Sequence, residues 1–247
     1  MDKPPPLMTK KDLKRQPYPT SFLSLLVLSA CGGGSESDSD GEGSTSTTPT
    51  PEPSVPYTGA VIKGPLENAL VFLDYDGDGV LSSDEPSIRT NSDGSFELSG
   101  NVSGVGFVAQ TDATTVDTSS GEVLDNVVLK APSGSSVVTP TTTIMQEAGI
   151  SKEEVVAVLG LPTGVDPTTF NPYSADADPE IALAVEKVSQ QVMTTVTAVS
   201  SAIEGAGADK ASAFSVALET VVEVVKEKAE IVKENPEAVV EKLDFSK

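Results

Sequence analysis

The stretch "GPLENALVFLDYDGDGVLSSDEPSIRTNSDGSFEL", residues 64–98, decides how the rest of the chain is read. It opens on a Gly-Pro turn and passes into "ALVFLD", a short apolar run rich in strand-forming residues. Five acidic side chains then fall within residues 74–85 before Pro86 interrupts the chain. "SIRT" and "SFEL" follow as further strand-like runs flanking "NSDG", where Asp93-Gly94 predicts a hairpin turn. The chain carries a formal charge of −21 over 247 residues, so concentrating more negative charge at one turn calls for a counter-charge.

The spacing of the acids supplies one. Counting from Asp74, carboxylates stand at positions 1, 3 and 5 (Asp74, Asp76, Asp78). Gly79 is at 6, Val80 at 7, Leu81 at 8, Ser82 at 9 and Glu85 at 12. That is the order of an EF-hand calcium loop. Ca²⁺ takes six to eight hard oxygens, so three carboxylates come from one side. The Val80 carbonyl adds a ligand, Ser82 contributes directly or through water, and Glu85 closes the cage with both oxygens. Pro86 replaces the helix that leaves an EF-hand, and the preceding residues read as strand. The expectation is the loop without the helix pair.

The quoted stretch resembles the calcium-loop-bearing β-sandwich modules of bacterial surface proteins, akin to the serine-aspartate repeat B-type and carboxypeptidase-regulatory-like domains. The resemblance implies a rigid extracellular module. An intramolecular Lys–Asn crosslink, known in some surface β-sandwiches, is an option for Lys63 or Lys130.

Around this stretch, "GAVIKG", "VGFVAQTD" and "NVVLK" supply more short strands, which suggests a small antiparallel β-sandwich over residues 57–132. After "APSGSS" the period changes. "VVTPTTTIMQEAG" reads as a short helix stopping at Gly149. Ser151 and Glu154 form a capping box for a second helix ending at Gly160. From Pro179, capped by Asp178, apolar residues from Ile181 to Ile203 recur every three or four positions over about 26 residues. "EGAGAD" breaks this helix, and Phe214, Leu218, Val221, Val225 and Val232 stripe another. The fold class is therefore α+β: the sandwich, then a helical domain over residues 133–247 built as a helical hairpin or small bundle.

The N-terminal residues read as an address. Lys10, Lys11, Lys14 and Arg15 precede the apolar "SFLSLLVLSA", too short to span a bilayer, and "LSAC" ends at Cys31. This resembles the bacterial lipoprotein signal, with Cys31 as the lipidated residue after removal of residues 1–30. Gly32 after the cysteine implies sorting to the outer membrane, facing either the periplasm or the cell surface. Residues 31–56 are Gly/Ser- and then Thr/Pro-rich, the composition of an extended tether.

Composition removes several functions. The chain has no His and one Cys, which excludes Ser-His-Asp and Cys-His catalysis, imidazole-based zinc sites and an internal disulfide. Its acidity argues against nucleic acid as a partner. The sequence thus points to a non-enzymatic, lipid-anchored and calcium-stabilised envelope protein. Its role would be structural, adhesive or interactive, with a protein or surface polymer as partner. The competing readings are a carboxylate-based hydrolase of glycans and an extracytoplasmic ligand-binding lipoprotein.

Overall fold

The structure, a computed structural model, describes residues 56–234. Cys31, the leader, most of the tether and the final thirteen residues lie outside the described residues.

The described chain is α+β: small, mostly antiparallel sheets first, then helices ending in a long helical pair. Strand β3 (Leu70–Asp74) is the centre of the larger sheet, flanked by β4 (Ser87–Arg89) and β6 (Gly106–Gln110), with β9 (Val128–Ala131) beyond β6. Val71, Phe72 and Leu73 are all fully buried, so β3 is covered on both faces. One face meets β1 (Tyr57–Val61) and β5 (Ser95–Leu98) in a sandwich-like core. There Phe107 stacks on Tyr57 at 4.7 Å and lies 5.8 Å from Phe96. A third ribbon joins β2 (Leu66–Glu67), β7 (Val116–Asp117) and β8 (Glu122–Val123).

Two pairings differ from the sequence expectation. The "NSDG" turn forms, with Asn91 N–H donating to the Ser95 carbonyl at 2.8 Å and Gly94 N–H to the Asn91 carbonyl at 3.0 Å. The strands on either side do not form a hairpin. β4 pairs with β3, whereas β5 pairs with β1, so the turn is a corner between two sheets. Gly94 is required at this corner. Its φ is +76°, and a Cβ there would sit 2.6 Å from the Val61 carbonyl oxygen. The second difference is β10 (Val137–Val138), which runs parallel to β1 in an otherwise antiparallel arrangement. β10 falls after residue 132, so the chain re-enters the sheet before its first helix.

Helices α1 (Pro140–Ala148) and α2 (Lys152–Leu159) start and stop where local signals place them, ending at Gly149 and Gly160. Ser151 and Glu154 exchange reciprocal backbone bonds at 3.2 and 2.7 Å. Asp178 caps α3 (Pro179–Gly205) by accepting from Glu180 and Ile181 N–H, at 2.9 and 3.1 Å. Asp209 caps α4 (Lys210–Glu234) through Ser212. Val185, Val188, Val192 and Val196 of α3 are buried, as are Phe214, Val221 and Val225 of α4. All belong to the same hydrophobic cluster as the sandwich-like sheets. Among the described residues no helix is long and apolar enough to cross a membrane.

Candidate metal centre

The acidic loop connects two strands, β3 and β4, and no helix borders it. Carboxylate oxygens of Asp74, Asp76 and Asp78 lie within 4.8 Å of one another. Each carboxylate also organises the backbone around it. Asp74 accepts from Gly77 N–H at 2.9 Å and from Gly79 N–H at 3.1 Å. Asp76 accepts from Asp78 N–H at 3.2 Å, and Asp78 from Val80 N–H at 2.7 Å. Gly79, with φ +75°, takes the left-handed conformation that turns the chain back at loop position 6.

Glu85 has a different place from that of the three aspartates. It is only 7 % exposed, and its two oxygens accept from Tyr75 N–H at 2.7 Å and Ser82 N–H at 2.8 Å. The carboxylate therefore ties the start of the loop to its end, and each oxygen keeps a lone pair for a further partner. Val80 is 61 % exposed and Ser82 half-buried at the outer rim. The structure thus brings Asp74, Asp76 and Asp78 into one cluster, while Glu85 stands outside that group and ties Tyr75 to Ser82.

Charge explains why such a cluster suits a cation. Two carboxylates about 4 Å apart repel by about 1 kcal/mol in water and about 4 kcal/mol near a protein surface. The donor set is entirely oxygen, which matches Ca²⁺ or Mg²⁺ and not a thiolate- or imidazole-seeking metal. The cluster is open to solvent on one side, since Asp76 and Asp78 are exposed.

The loop also lies over a hydrophobic surface. Phe72 and Val108 are cross-strand partners pointing away from the sandwich-like core, yet are 0 % and 2 % exposed. Gln110 and Lys130 share that face by strand alternation. Gln110 Nε2 donates to the Gly79 carbonyl at 3.1 Å. A Cβ on Gly79 would come within 3.3 Å of Lys130 Nζ. The loop is thereby drawn across Phe72 and Val108, and its shape bears on their burial.

Four further polar features escape sequence reasoning. Lys63 Nζ meets Asp117 Oδ2 at 3.0 Å, with the Asp117 side chain almost fully enclosed. Burial pushes this carboxyl up, but the Ser119 hydroxyl and the Lys63 ammonium outweigh it and hold the group below the usual carboxylate range. Lys130 pairs with Glu147 at 2.7 Å. Among the described residues the ammonium groups of both lysines pair with carboxylates. At the start of α1, Thr142 Oγ1 donates to the Lys130 carbonyl at 2.8 Å, and Thr143 Oγ1 accepts from Lys130 N–H at 2.9 Å. These threonines seal part of the edge of β9. Their one sequence signal is three consecutive threonines inside a helix, where threonine is a mediocre former. Tyr173 is pushed up to about 12 by burial and by its bond to Glu186 at 2.8 Å.

Asp176 and Asp178, a weaker acidic pair in the sequence, separate by role. Asp178 caps α3, and neither belongs to a metal-compatible group. Comparison of the chain with family models, with curated proteins and with solved structures finds no match.

Proposed function

We propose that the protein is a lipid-anchored envelope protein whose sheet region is stabilised by Ca²⁺ in the residue 74–85 loop, and that its role is structural, adhesive or interactive. The observation that carries this reading is the convergence of Asp74, Asp76 and Asp78 in a loop whose two ends are tied by the buried Glu85 carboxylate. In the proposed site these three aspartates supply carboxylate oxygens, the Val80 carbonyl and Ser82 complete the shell, and Glu85 contributes its remaining lone pairs. Bound Ca²⁺ converts mutual repulsion into attraction and fixes the loop across Phe72 and Val108. The anchor and the tether rest on the sequence around Cys31 and on residues 31–56.

Calcium titration of the full chain with thermal unfolding as readout tests the reading. An extracellular-type site has a Kd of about 10⁻⁴ to 10⁻³ M. Calcium at about a hundred times Kd then adds about 2.7 kcal/mol, equivalent to a rise of several degrees in Tm. EDTA reverses the rise, and Asp76→Asn abolishes it. An unchanged Tm across the titration removes calcium from the account.

A further inference from the structure

Beside the acidic loop a groove of about 570 Å³ runs between the edge of β9 and α4. On its α4 side Phe214, Leu218 and Val222 recur at four-residue spacing, with Leu218 half-buried and the other two buried, and Glu219, Glu223 and Lys226 are exposed beside them. Across from them lies Val128, whose main chain has a specific orientation. Beside it Thr111 N–H donates to the Val127 carbonyl at 2.9 Å, Val127 N–H to the Thr111 hydroxyl at 2.9 Å, and Asn126 N–H to the Thr111 carbonyl at 3.3 Å, so the bonds to β6 at this end are made by Val128's neighbours. Alternation then makes Gln110 and Val128 a non-bonded pair, so the N–H and C=O of Val128 point away from β6. Lys130, two residues on, points the same way, and its main chain is taken by Thr142 and Thr143 of α1. Val128 is left as the open part of this edge, facing the groove.

The groove has the dimensions of an extended chain. From Phe214 to Lys226 the helix covers about 18 Å, the length of about five residues in a strand. Its charge has a sign. Lys130 is neutralised by Glu147, which leaves Lys226 against Glu219 and Glu223 at the rim. We infer that this groove binds a short extended peptide carrying alternating apolar and basic side chains, which pairs with the main chain of Val128 and lays its apolar residues against Phe214, Leu218 and Val222. The basic residues face Glu219 and Glu223. Strand addition to an open edge is a general mode of peptide capture, with main-chain bonds giving affinity and alternate side chains giving specificity. The inference does not depend on the calcium reading, and it holds with calcium or with EDTA.

Fluorescence anisotropy of the full chain with a labelled peptide of alternating valine and lysine, capped at both ends, tests it. The expected result is saturable binding that disappears when alternate backbone nitrogens of the peptide are methylated, since the side chains and charge are then unchanged but strand pairing is blocked. Val128→Pro removes one outward donor that the ladder does not use, and weakens binding about fivefold. Glu219→Lys combined with Glu223→Lys, at exposed positions, weakens it about tenfold and keeps the test valid if the proline variant does not fold. Equal binding of the methylated peptide, unchanged affinity in the charge-reversed variant, tighter binding of a valine–glutamate peptide, or no saturable binding overturns the inference.

Discussion

In residues 74–85 the contacts that hold the chain are hydrogen bonds from backbone N–H groups to four carboxylates. In the α3–α4 pair they are mainly valine side chains, joined in α4 by alanine and phenylalanine, buried between residues 185 and 200 of α3 and between residues 213 and 229 of α4. The loop concentrates its stability in a few charged groups, so one ion or one substitution moves it. The helices distribute theirs, and β-branched valine adds little helix propensity of its own, so they depend on packing. Calcium should therefore act on the first region and leave the second nearly untouched.

Substitutions can break or sharpen that contrast. Phe72→Ala empties the surface beneath the loop and should cost about 3–5 kcal/mol by chemical denaturation. Asp117→Asn leaves Lys63 without its counter-charge in a largely buried place and should cost about 3 kcal/mol. Its pH dependence has a definite sign. The folded carboxyl lies below its ordinary value, so its contribution is present above about pH 3.9 and fades as pH falls through the lower folded value. Asp117→Asn should flatten that acid limb, and an unchanged limb would remove the pair from the account. Val225→Ala in α4 should cost about 1–2 kcal/mol, equally with calcium and with EDTA. Val224→Ser, at a 40 % exposed position on the same helix, should stay within about 0.5 kcal/mol. A calcium-dependent cost for Val225→Ala would contradict the separation of the two regions.

What could be read from sequence was local. Ser151 with Glu154, Asp178 before Pro179, and the stops at Gly149 and Gly160 each depend on residues within one helical turn. The stripes from Ile181 to Ile203 and from Phe214 to Val232 were legible because helical period alone fixes the buried face. Partner choice was not legible. "SIRT" and "SFEL" sit on either side of a good turn, yet β3 and β1 claim them separately, because fully buried β3 needs a neighbour on both edges. The parallel return of β10 to β1 and the pairing of Lys63 with Asp117 across 54 residues depend on the assembled fold. At the candidate centre the spacing picked out Asp74, Asp76 and Asp78, which converge, together with Glu85, which stands outside their group. The double backbone tie of Glu85 to Tyr75 and Ser82 required the three-dimensional path of the loop.

Tyr75 lies within the loop, is 40 % exposed, and the chain has no tryptophan to compete with it as a light-absorbing donor. Terbium emission sensitised by tyrosine is therefore the most direct test of the captured ion. The account predicts emission that saturates at one terbium per chain, falls on addition of calcium, and is lost in Asp74→Ala and Tyr75→Phe. Emission that never saturates, or that persists unchanged in Asp74→Ala, would contradict it.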